Sequence, residues 1–330
     1  MHLSLDLALH NLASVAVLAF ALGALAARVR TDVQLPPSVY TFLSIYLLFG
    51  IGLKGGVALR DVHFVDVAIP SVTTLALGAV TPVLAFGSLK WVTRMSALDR
   101  GAVAAHYGST SLVTFSAVLL FLDNLGVQYE GFTSTLLTIM EVPGIVVGIA
   151  LGLRGTLPAT TDDQRDRRSR WRTIAHETLL GRTAFMLIGG LIIGFAAGHA
   201  NYDKVAPFFK DVQPGMLALF LLHLGYIAGS RIGTLRHAGF GLVAFALAFP
   251  VVVGSLGVLA GHVAGLSIGG ATVLGVLCAS ASYIAAPAAV SVGLPEANQS
   301  LPVAASLGIT FPFNLIVGIP LLYALAQTLG

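Results

Sequence analysis

The stretch SASYIAAPAAV, Ser280–Val290, decides how the chain is read. It follows IGGATVLGVLC, Ile268–Cys278, an apolar run that reads as the first half of a membrane-spanning helix. Two serines, a tyrosine and a proline then arrive where such a helix is halfway across ~30 Å of hydrocarbon. Polar or irregular backbone is tolerated at that depth only where protein or a water-filled cavity surrounds it. The stretch therefore predicts a break in a spanning helix that lies inside a bundle.

The rest of the chain agrees with a membrane setting. Of its 330 residues, 56 % are apolar and only 10 % are Asp, Glu, Lys or Arg. A soluble protein carries about 25 % charge, and so few charges would leave a water-facing globule with large apolar patches. The mean hydropathy is +0.88. The formal net charge of +3 is distributed by topology and points to no nucleic acid. The window 8–27 follows MHLSLDL, which has no Lys or Arg and carries Asp6, so it reads as a retained first span and not as a signal peptide. A single cysteine, Cys278, excludes an internal disulfide and a multi-cysteine metal site.

Ten spans are expected: roughly 8–28, 38–58, 67–89, 101–122, 132–153, 178–198, 214–230, 238–261, 267–293 and 301–328. The loops are short except around residues 154–176, which hold TTDDQRDRRSRWR, the one strongly polar segment. Loops after odd-numbered spans, with their helix ends, carry fourteen of the 18 Lys and Arg residues, and the opposite side carries Lys54, Arg60, Lys204 and Lys210. By the positive-inside bias the odd loops, including the central one, are cytoplasmic and both termini lie outside. A plasma (inner) membrane, multi-pass location follows.

The halves resemble each other at an offset near 170. LLFGIGLKGG, 47–56, meets LLHLGYIAGS, 221–230; HYGSTS, 106–111, meets LCASAS, 277–282; EVPGIVVG, 141–148, meets FPFNLIVG, 311–318. An odd number of crossings per unit inverts the second copy, and inverted repeats mark secondary transporters. The expected fold class is an all-α polytopic membrane protein of ten transmembrane helices in a 5+5 inverted-topology repeat, with discontinuous helices 4 and 9. The expected domains are 1–153, a first five-helix repeat; 154–176, a cytoplasmic linker; and 177–330, the second, inverted repeat.

The fourth and ninth spans hold the chemistry. In the fourth, Gly108 lets the backbone unwind and Ser109, Thr110 and Ser111 satisfy it; in the ninth, Pro287 removes a donor, with Ser280 and Ser282 beside it. Broken helices would turn N–H groups and positive dipole ends toward an anion, and carbonyls with hydroxyls toward Na⁺. The competing reading is that these small residues only allow close helix packing. Glu141, in MEVPG, is the one carboxylate deep inside a span, a functional signal by default or a brace for an exposed N–H near Pro143. Asn314 offers a neutral oxygen at the matching place. Tyr107 and Tyr283 flank the breaks, to pack or to reach a substrate oxygen. His223 is a core histidine or a gating residue, and Lys54 is expected to snorkel. No GxSxG, HExxH or phosphate-binding glycine loop is present, so the chain does not read as an enzyme, and an ion gradient is the natural energy source.

These strings closely resemble the sodium-dependent bicarbonate transporter family, the SbtA-like proteins, over nearly the whole chain. The resemblance is carried by GIGLKGG (50–56), AAHYGSTSLVTF (104–115), MEVPG (140–144), Phe208 to Val212, SASYIAAPAAV (280–290), LPEAN (294–298) and SLGITFPFN (306–314). It implies a core domain and a gate domain, each drawn from both repeats, a homotrimer, and an elevator-type Na⁺/HCO₃⁻ symport into the cytoplasm. It implies substrate contacts at Gly108, Ser109, Thr110, Ser111, Ser282, Tyr283 and Ile284. It implies Na⁺ ligands among Thr114, Glu141, Ser280 and Asn314. A PII-like regulatory protein on the cytoplasmic face is a further implied partner. Two positions depart from the family pattern, which has an acidic residue where this chain has His223 and a valine where it has Thr110. The alternative is a Na⁺-coupled symporter of another small anion, such as a short carboxylate.

Overall fold

The computed structural model describes residues 12–154, 163–235 and 239–330. The start of the first expected span, linker residues 155–162, and residues 236–238 with Arg236 lie outside the described residues.

Every described element is helical. The first helix, α1 (Val15–Arg28), starts where Ser14 accepts the Val17 N–H at 3.3 Å. Pro36 and Pro37 then set the start of α2 (Pro37–Ala58), where a missing N–H costs nothing. After a short 3₁₀ turn, α3 (Phe64–Val92) runs 29 residues. Ser96 caps α4 (Ala97–Gly108) by accepting the Asp99 N–H at 3.1 Å. α5 (Leu112–Asn124) and α6 (Thr133–Leu153) follow. Part of the expected surface linker is helix α7 (Asp163–Leu179), and α8 (Arg182–Tyr202) leaves it. A π turn at Pro207–Asp211 leads into α9 (Gln213–Leu235), then α10 (Gly239–Val263). α11 (Ile268–Ala279) and α12 (Ala285–Gly293) are short. The last helix, α13 (Ser300–Leu329), carries π turns at Ser306–Thr310 and Asn314–Gly318.

The ten-span expectation is corrected by these lengths. Among the described residues, eight helical segments are long and apolar enough to cross a membrane, and α1 and α11 are shorter. At 1.5 Å per residue a 12-residue helix reaches only ~18 Å, well short of ~30 Å of hydrocarbon. The expected discontinuous ninth span is therefore two separate short helices, α11 and α12. Within the eight, one interruption falls in Ala97–Asn124 and another in the π-turned α13. Among the described residues the eight long segments do not divide into the two five-helix halves expected of ten spans.

Packing sorts the helices. α2 lies against α8, and α1 against α9. A Cβ on Gly52 would stand 2.7 Å from the Leu187 carbonyl oxygen, so only glycine permits that approach of α2 to α8. Elsewhere α3, α4 and α6 pack on one another, α10 packs on α11, and α3 meets α10. Ala97–Asn124 is the most enclosed long segment, with 94 % of its apolar window buried, whereas the window of α3 is 28 % buried. The polar break therefore sits at the centre of the bundle, where irregular backbone is tolerated. At one face the Asn298 N–H donates to Asp99 Oδ1 at 2.8 Å. At the other, Glu130 accepts the Ser267 N–H at 2.6 Å and so holds the start of α11.

Candidate functional site

Two extended breaks meet in the middle of the bundle. α4 ends at Gly108, Ser109 and Ser111 are extended, and the Ser111 side chain restarts the helix by accepting the Thr114 N–H at 3.2 Å. Across from it α11 ends at Ser280, also extended. The breaks are stitched reciprocally. The Ser111 N–H donates to Ser280 Oγ at 2.9 Å, and the Ser282 N–H donates to the His106 carbonyl at 2.8 Å. Ser111 Oγ donates to the Tyr283 hydroxyl at 3.2 Å. Ser280 Oγ also donates to the Leu277 carbonyl at 2.8 Å, and Ser282 Oγ accepts the Ala286 N–H at 3.2 Å. Backbone groups that a continuous helix would satisfy are thus met by four serine-centred contacts in a buried place.

The causes differ from the local signals. Gly108 keeps a negative φ; what it permits is contact. A Cβ there would stand 2.8 Å from the Pro82 side chain and 2.9 Å from the Gly144 carbonyl. Gly144 in turn faces the Gly108 carbonyl, so α4 and α6 touch backbone to backbone at the break. Pro287 lies in the first turn of α12, where an N–H has no intrahelical partner anyway, so it starts a helix and does not kink one. Pro143 sits inside α6 and leaves the Ile139 carbonyl without its helical donor.

Between the breaks and α2, α6 and α8 lies a small cavity of about 10 Å³, room for about one water. Its polar lining is Thr110, Ser111, Glu141, Thr183, Ser282 and Tyr283; Leu48, Leu137 and Leu187 close it. Ile284 lines it as well. Of the residues expected to form the site, it therefore collects Thr110, Ser111, Ser282, Tyr283, Ile284 and Glu141. Gly108, Ser109, Thr114, Ser280 and Asn314 stand outside its lining. Ser109 Oγ is buried without a hydrogen-bond partner among the described residues. Asn314 braces the end of α11 by donating to the Ala279 carbonyl at 2.7 Å, and its Oδ1 lies by Gly318. Thr110 donates to the Leu137 carbonyl at 3.4 Å.

Glu141 is 3 % exposed and makes no hydrogen bond or ion pair among the described residues. Tyr107 points away from the cavity, sharing a 2.6 Å hydrogen bond with Thr310, which donates to the Ala246 carbonyl. His223 accepts the Leu35 N–H at Nδ1, 3.1 Å, and so holds the 29–36 loop. Lys54 does not snorkel: its Nζ donates to the Tyr129 hydroxyl at 3.1 Å. Thr183, Leu48 and Leu187 had no sequence signal, since they are ordinary residues of apolar helices until packing turns them to the cavity.

The arrangement offers hydroxyls and one carboxylate around a space of about one water's size. No curated protein matches the chain in a sequence search. The model of the Na⁺-dependent bicarbonate transporter superfamily matches residues 15–327. That match takes in every long helix, both breaks and the cavity between them, and the chain belongs to the Na⁺-dependent bicarbonate transporter superfamily.

Proposed function

We propose that the chain carries bicarbonate together with Na⁺ into the cytoplasm, and that both ions bind at the crossing of the two breaks. The observation that carries this is Glu141: a carboxylate without a hydrogen-bond or ion-pair partner among the described residues, lining the same small cavity as Thr110, Ser111, Ser282 and Tyr283. A buried charge without a partner is costly, so a cation in that cavity offsets it. The anion is then held by the hydroxyls and N–H groups of Gly108 to Ser111 and Ser282 to Ile284, once the Ser111 and Ser282 N–H groups exchange their contacts with Ser280 and His106 for it, with the cation beside it. Thr114, Ser280 and Asn314 complete the proposed Na⁺ ligands as the site rearranges. At about 10 Å³ the cavity is too small for bicarbonate, so substrate binding separates Leu48 and Leu187 from the breaks.

The packing supports an elevator: α1, α2, α8 and α9 form pairs that serve as the gate, and α3 to α6 with α10 and α11 carry the site as the core. The face with α7 is the cytoplasmic one on the Lys/Arg bias, in the plasma (inner) membrane. A homotrimer and a PII-like regulator on the α7 face belong to the same reading. Uptake of labelled bicarbonate into proteoliposomes tests it. An inward Na⁺ gradient is expected to drive accumulation, and equal uptake with and without the gradient rejects coupled symport.

A further inference from the structure

α2 and α6 lie side by side. Three pairings fix their register. Gly55 meets Ser134, Leu48 and Glu141 line the small cavity together, and Ser44 and Ile145 line a larger one of about 330 Å³. The order of these pairs shows that the two helices run in opposite directions. The larger cavity extends to Glu177, Thr178 and Arg182 at the α7 face. The helices therefore touch at the end opposite α7, enclose room for about one water midway, and stand apart toward α7.

The touching end is closed by fit. A Cβ on Gly55 would stand 1.6 Å from Ser134 Oγ, and one on Gly131 would stand 2.4 Å from the Ala58 side chain, so each contact needs its glycine. Beside them Lys54 Nζ donates to the Tyr129 hydroxyl at 3.1 Å. The polar groups at this end are poorly met. Ser134 is 4 % exposed, and its Oγ has no hydrogen-bond partner among the described residues. Lys54 is half-buried and holds its charge against a phenol, with no carboxylate within ion-pair distance among the described residues. An unmet buried hydroxyl and an ammonium without a counter-ion both oppose the closed contact, because water satisfies them once the helices separate. Packing and polarity thus act in opposite senses at one seam.

We propose that this seam is the gate on the side opposite α7, a latch shut by glycine fit and biased toward release by Ser134 and Lys54. This rests on the reading of the small cavity as the transport site. That cavity adjoins the larger one toward α7, and Ser134 lies two turns from Glu141 along α6. Parting Gly55 from Ser134 opens the small cavity to the other side, the outer one on the Lys/Arg bias. A contact that is only slightly favoured changes state for a small differential binding of ions between the two forms.

Cysteine labelling from each side of the membrane tests it. Leu137 is 1 % exposed, lies on α6 between Ser134 and Glu141 and lines the small cavity, and Ala288 is exposed in the larger one. A membrane-impermeant methanethiosulfonate is applied to Leu137→Cys from the side opposite α7 and to Ala288→Cys from the α7 side, and the rate of the buried native Cys278 alone is subtracted. Gly55→Ala wedges the seam and is expected to raise the first rate about tenfold or more and to lower the second. Ser134→Ala and Lys54→Met remove the poorly met groups and are expected to lower the first rate about two- to tenfold, a result that stands even where Gly55→Ala does not fold. An unchanged first rate in Gly55→Ala, or a rise at both reporters as general loosening gives, overturns the proposal. Unchanged or raised labelling of Leu137→Cys in both Ser134→Ala and Lys54→Met overturns it as well. The expected labelling alongside Na⁺-independent uptake would sink the symport reading and leave the latch standing.

Discussion

At the scale of a residue, the proposed cation site centres on Glu141. It was legible because a single carboxylate deep in an apolar span is costly unless something uses it. Its surroundings were not legible: Thr183 and Leu48 reach the same cavity from helices whose sequences give no sign of it. Glu141→Gln keeps the shape and removes the charge. The half-saturating Na⁺ concentration is expected to rise by about tenfold or more, a loss of ~1.4 kcal/mol or more, read from uptake against Na⁺. An unchanged Na⁺ response would remove Glu141 from the cation site. Ser280 is the structural counterpart. Its hydroxyl is the partner of the Ser111 N–H, so Ser280→Ala leaves a buried donor unmet. A loss of about 1–3 kcal/mol is expected, seen as a lower thermal midpoint in detergent, and Ser280→Thr should recover part of it.

At the scale of the element, the breaks come from contacts more than from local propensity. The sequence marked where α4 and the 268–293 segment are interrupted, because Gly, Ser and Pro stand out in apolar helices. It misassigned what each does. Gly108 is needed for the touch of α4 on α6, and Pro287 sits in the first turn of α12. Two opposite outcomes follow. Gly144→Ala drives a methyl into the Gly108 carbonyl and is expected to cost about 1–3 kcal/mol and to lower uptake sharply. Pro287→Ala is expected to shift the thermal midpoint little, because its position has no helical donor to restore. The expected ninth span failed for a related reason. A hydropathy window counts apolar residues and passes over the Ser280–Tyr283 extension, whereas hydrogen bonding divides the segment into pieces too short to cross.

At the scale of the whole molecule, contacts join α2, the loop after α5 and α11, and the proposed elevator motion has to break them. Lys54 on α2 donates to Tyr129, in the loop after α5 whose Glu130 holds the start of α11. Burial, then the Asp123 carboxylate, pushes the Tyr129 phenol above the usual tyrosine range, so it stays neutral. A bifunctional thiol reagent joining Lys54→Cys to Tyr129→Cys is expected to cut uptake by at least about tenfold, with recovery on reduction. Full uptake in the linked protein would rule out relative motion of α2 and this loop. The amino-acid sequence by itself determined the membrane class, the break in the fourth span and the candidate carboxylate, since these depend on composition and on single residues that apolar helices do not otherwise carry. Tertiary structure alone decided how many segments are long enough to cross and which expected site residues share one cavity. Those properties depend on which helix faces which, and in a chain so uniformly apolar the faces look alike until small residues and serine hydrogen bonds select their partners.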